Sequence, residues 1–158
     1  MLEFFVLVAV VLAGLVAAPV LFILGTVVLV RSSSDAGPSG GLRGVALLSA
    51  GGAAAAYLWG ALHLLGAVLT TDDSGTDAFP IQPCREGGMA RAETVVDHSV
   101  SFLPLRFTCE LRAGGGYTVA VPGYVNPAVG VLGLAAVACG ILAGAAGERS
   151  DRKRSPAP

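Results

Sequence analysis

Charge is scarce in this sequence. Only 13% of its 158 residues are Asp, Glu, Lys or Arg, and lysine occurs once, at Lys153. The shortage is concentrated. Phe4–Val30 runs for 27 residues without an ionisable side chain. Val45–Leu69 interrupts its apolarity only at Ser49 and His63, and Val125–Gly147 only at Asn126. About 20 apolar residues cross the roughly 30 Å hydrocarbon core of a bilayer, so each stretch is long enough to span once. Three such stretches exclude most soluble functions.

Catalytic signatures are missing too. The chain has no Walker loop, dinucleotide fingerprint, HExxH pair or nucleophile elbow. No CxxC pair occurs, which removes the usual zinc and dithiol spacings. Ser49 and His63 are the one suggestion of a dyad. They stand 14 residues apart on one expected helix, about 21 Å, too far for a hydrogen bond. The sequence therefore predicts no catalytic residue, no cofactor and no metal site.

What charge there is divides unequally. Arg31 and Arg43 face Asp35 between the first two runs, and Arg149, Arg152, Lys153 and Arg154 follow the third against Glu148 and Asp151. The longer stretch between runs two and three carries four arginines against seven carboxylates, a net −3. Short loops rich in Lys and Arg stay cytoplasmic. The expected organisation is a transmembrane helix at Phe4–Val30, a cytoplasmic loop at Arg31–Gly44 and a second transmembrane helix at Val45–Leu69. An extracytoplasmic domain at Thr70–Tyr124, a third transmembrane helix at Val125–Gly147 and a cytoplasmic basic tail at Glu148–Pro158 complete it. This is a multi-pass plasma-membrane protein with its N-terminus outside and its C-terminus in the cytoplasm. Met1-Leu2-Glu3 lacks the basic start of a cleavable signal, and Pro19 after Ala17-Ala18 makes a poor cleavage site, so the first helix reads as retained. Ser32–Gly41 reads as a flexible polar connector.

The external stretch has a period of two. Leu103, Leu105, Phe107, Cys109 and Leu111 alternate with Arg106, Thr108, Glu110 and Arg112. After Ala113-Gly114-Gly115-Gly116, Tyr117, Val119 and Val121 resume the alternation, the pattern of a β-hairpin. Upstream, Val96, His98, Val100 and Phe102 form a third set in the opposite phase, so a turn or bulge must lie at Leu103-Pro104. A three-stranded β-meander from about Glu93 to Pro122 follows. Cys84 and Cys109 share this external segment, where an oxidising environment favours a structural disulfide over a thiol-redox pair. The fold expected is thus three transmembrane α-helices bearing a small disulfide-closed β-meander domain.

Several features carry a second reading. His63 is the only ionisable group deep in a span; it reads as packing near Trp59, or as the polar site of a small oligomeric transporter or channel. Small-residue rows at Gly52, Ala56, Gly60 and at Ala136, Gly140, Gly144 suit close helix packing within the chain, with itself as an oligomer, or with another membrane protein. Asp72, Asp73 and Asp77 read as a solvated acidic loop without calcium-loop spacing. Cys139 reads as an apolar filler. The basic tail reads as a membrane anchor in contact with lipid, and no nucleic-acid partner is expected. The exposed Arg106, Thr108, Glu110 and Arg112 face is then the expected contact surface of a non-enzymatic interaction domain.

The run Ser101-Phe-Leu-Pro-Leu-Arg-Phe-Thr-Cys-Glu-Leu111, with Val121-Pro-Gly-Tyr-Val-Asn-Pro127, resembles a segment of small three-span membrane proteins of high-GC Gram-positive bacteria. The excess of Arg over Lys agrees with such a source. That resemblance implies a rigid disulfide-closed unit mounted on a helix, and implies no activity.

Overall fold

The computed structural model describes the backbone of residues 2–35, 38–73 and 81–154, and the side chains of 4–32, 39–71 and 81–150. Three long helices are present: α1 (Leu2–Asp35), α2 (Pro38–Asp73) and, last in the chain, α4 (Val125–Arg154). Each holds a stretch long and apolar enough to cross a membrane, at Phe4–Ser32, Ser39–Thr71 and Val125–Ser150. All three helices outrun their apolar windows. The connector expected over Ser32–Gly41 is helical on both sides of residues 36–37, with Pro38 at the first position of α2, where its missing N–H costs nothing.

Between α2 and α4 come a 3-10 turn (Gln82–Gly87), a single-turn α3 (Met89–Ala92) and three strands: β1 (Val95–Phe102), β2 (Leu105–Leu111) and β3 (Gly116–Val119). They form one antiparallel sheet in the order β1-β2-β3, the expected meander. Phe102 pairs with Leu105, so the first connection is the two-residue turn Leu103-Pro104, with a cis peptide. Leu103 sits in that turn, 86% exposed, and does not share the inward face of β2. A bulge lies at the other end of β1, where Val95 pairs with Leu111 but Asp97 with Glu110. The extra residue swaps the inward position, so Val95 is buried and Val96, expected to face in, is exposed. The second connection needs left-handed backbone at Gly114 and Gly115, which only glycine adopts cheaply.

The chain clusters into two compact units. Residues 1–13 and 57–126 form the first, and it holds nearly all of the buried core: Leu7, Leu64, Val95, Leu105, Phe107 and Val125 among others. Residues 14–56 and 127–158 form the second, whose described residues are helical. Within it, α1 and α2 run antiparallel across glycine. A Cβ added to Gly25 would meet Leu48 at 2.9 Å, one on Gly44 would meet Leu29 at 2.9 Å, and one on Gly51 would meet Phe22 at 3.2 Å. On the neighbouring side of α2, Gly52 faces Leu132 of α4. The opposite faces of these helices expose Val20, Ile23, Val27, Leu134, Val137 and Ile141. An apolar surface of this extent suits lipid and not water.

Candidate interaction surface and polar sites

The inward face of the sheet is assembled around the disulfide. Cys84, in the 3-10 turn, is bonded to Cys109 of β2 with Cα atoms 6.0 Å apart, and both residues are fully buried. Tyr117 lies opposite Cys109 and donates its hydroxyl to the Cys84 carbonyl at 2.6 Å. Its ring lies over Gly87, where any side chain would collide with it. His98, on the other side of Cys109, stacks on Phe107 with ring centroids 5.3 Å apart and planes within 10°. The imidazole is therefore used in packing. No group of three or more His, Cys, Asp or Glu with metal-binding geometry occurs among the described residues.

On the outward face, Arg106 and Glu110 are exposed and Thr108 is half-buried. Arg112 is exposed beyond the end of β2, in the turn, and its N–H donates to the Thr94 carbonyl at 2.9 Å. An open cleft of about 340 Å³ lies over this face, lined by Val96, Thr108, Glu110, Leu111 and Gly114–Gly116. Asp97 is directly opposite Glu110. Like charges in that position repel. The Asp97 carboxylate instead accepts the backbone N–H of His98 at 2.7 Å, which also covers part of the free edge of β1.

The sheet is tied to helices by side chains that the alternation pattern did not single out. Tyr57 of α2 donates its hydroxyl to the Phe102 carbonyl at 2.8 Å. Asn126, in the first turn of α4, brackets Leu105: its Oδ1 accepts the Leu105 N–H and its Nδ2 donates to the Leu105 carbonyl, each at 3.0 Å. Alternate residues of β2 turn their backbone groups toward β3. Phe107 pairs with Val119, the last residue of β3, so Leu105 lies one step past the end of its partner strand. The asparagine amide supplies the missing donor and acceptor. Its signal in the sequence was plain, as the lone polar residue of the third apolar run.

His63 sits on α2 with its ring edge-to-face against Trp59, centroids 4.9 Å apart. Trp59 in turn donates its indole N–H to the Tyr124 hydroxyl at 3.0 Å. Ser49 is on the same helix as His63 and not beside it. Cys139 is a half-buried free thiol. In the acidic loop Asp77 lies outside the described residues, as do the side chains of Asp72 and Asp73. The basic tail is described as helix to Arg154, without its last side chains. Two clefts flank the 3-10 turn, about 250 Å³ beside Gly66, Thr70 and Gln82 and about 440 Å³ beside Arg91 and Thr118, sharing Glu86 and Ala120. Compared with protein-family models, with curated proteins and with solved structures, the chain matches none.

Proposed function

We propose that this is a non-enzymatic, multi-pass plasma-membrane protein that displays the sheet-bearing domain outside the cell as an interaction module. In this reading the N-terminus is outside and the C-terminus cytoplasmic, because Arg31, Arg43 and the basic tail hold the short loops inside. The observation that carries the reading is the domain's asymmetry. Its inward face is filled by a buried disulfide and aromatic packing, while its outward face leaves Arg106, Thr108 and Glu110 free in or beside an open cleft. Complementary charge at such a face sets partner choice more than affinity. A fully buried Cys84–Cys109 bond supports a structural role over thiol cycling.

In-cell crosslinking followed by mass spectrometry of native membranes tests this. The expected result is a crosslink from the Arg106–Arg112 face to another envelope protein, lost in an Arg106→Glu, Glu110→Arg double variant that keeps its disulfide. Recovery of uncrosslinked monomer alone would overturn it. Sidedness is read separately, by protease accessibility of an epitope in the Ala113–Gly116 turn on intact cells.

A further inference from the structure

The apolar run Val45–Leu69 is centred on Tyr57, which would put Trp59 about 3 Å from the bilayer midplane if the whole run were membrane-embedded. The contacts of α2 oppose that placement. From Tyr57 outward the helix is flanked by polar structure. Tyr57 bonds the Phe102 carbonyl, Gly60 packs on Leu105 and Val125, and Gly66, Ala67 and Thr70 share a cleft with Gln82 and Glu86. Open sheet edges and loops do not occur against lipid, because their backbone groups go unsatisfied there. The strands beside α2 also carry exposed Asp97, Arg106 and Glu110. On α2 itself, Ala61, Leu64, Ala67 and Val68 are buried against protein at helical spacing.

The geometry points to a membrane–water boundary that crosses α2 at Trp59, on the domain side, with Trp59, Tyr124 and Leu103 forming a footing that binds the headgroup–acyl boundary of the phospholipid bilayer. Trp59 and Tyr124 are 50% and 63% exposed although hydrogen-bonded to each other. Amphipathic rings of this kind settle at the interface, where one end is apolar and the other wet. Leu103 lies in the turn between Phe102, whose carbonyl Tyr57 bonds, and Leu105, whose side chain meets Gly60, and its own side chain is exposed. The spacing of charge agrees. Arg43 to Trp59 covers about 24 Å of helix and Asn126 to Glu148 about 33 Å, bracketing a hydrocarbon core of roughly 30 Å. His63 and the outer turns of α2 then belong to the domain, within reach of water, and His63 no longer stands as an intramembrane site.

Trp59 is the only tryptophan, so the unaltered full-length protein reports its own depth. The protein is reconstituted in phosphatidylcholine vesicles whose acyl chains are brominated either near the glycerol or near the methyl end. Stronger quenching of Trp59 by the shallow bromines is expected. Stronger quenching by the deep bromines overturns the inference. A second readout uses a membrane-impermeant maleimide admitted to both sides of the vesicles, in a Cys139→Ala background. His63→Cys is expected to label and Ala54→Cys to resist; protection of both overturns the inference. The inference rests on the chain spanning a membrane and not on which side the domain faces, so its failure leaves the partner-binding reading to its own crosslinking test.

Discussion

Asn126, in the first turn of α4, completes the strand ladder at Leu105 with both ends of its amide. Leu105 is fully buried, so removing the amide strands a backbone donor and acceptor away from water. Each such orphan costs about 1–3 kcal/mol. Asn126→Ala is therefore expected to destabilise the protein by about 2–4 kcal/mol, read by thermal unfolding in detergent, with faster hydrogen exchange at the Leu105 amide. Asn126→Asp keeps the acceptor for the Leu105 N–H but turns a negative oxygen on its carbonyl, so it does not rescue. Tyr57→Phe removes one half-buried hydrogen bond and keeps the ring; a loss of about 1 kcal/mol is expected in the same assay. Asn126 was visible as a polar interruption, yet its partner was not, because a strand one step too short exists only once the register of β2 and β3 is set.

At the scale of elements, glycine on the long helices divides into two kinds. Gly60 is fully enclosed: an added Cβ would stand 2.7 Å from Val125 Cγ1 and 2.8 Å from Leu105 Cδ1. Gly140 and Gly144, in the matching row of α4, face nothing within 4 Å among the described residues. Gly60→Ala is expected to cost about 1–3 kcal/mol through overpacking. Gly140→Ala is expected to change monomer stability by less than about 1 kcal/mol, since only the helix's own preference is altered. Unfolding of both variants in the same detergent measures the contrast. Periodicity in the sequence marked both rows alike. It missed Gly25 of α1 and Gly44 and Gly51 of α2, which carry the α1–α2 contact. Spacing shows which residues share a face; which face meets a neighbour depends on how the helices are set against each other. The strands were more legible. Their phase change at Leu103-Pro104 became a two-residue turn, whereas the bulge that moved Val95 inward left no mark in the alternation.

For the whole molecule, the Cys84–Cys109 bond closes a 25-residue separation in a domain too small for a large core of its own. Cys84→Ser or Cys109→Ser is expected to lower stability by about 3 kcal/mol, on a chain-entropy account, while Cys139→Ala leaves it nearly unchanged. Chemical unfolding followed by domain proteolysis compares the three.

Three membrane-spanning helices, a meander and a disulfide partner were all written into the chain, because each depends on local apolarity, on a period of two, or on which cysteines share a segment. Long runs without charge favour continuous apolar helices, and alternation has one stable pleat. Tertiary structure alone decided where the helices change character. Val45–Leu69 is apolar as sequence but for Ser49 and His63, yet from Tyr57 onward α2 packs against polar strands and before it pairs with α1 and α4. Apolar side chains are buried equally well by lipid and by protein, so composition does not distinguish the two; the position of neighbouring backbone polar groups does.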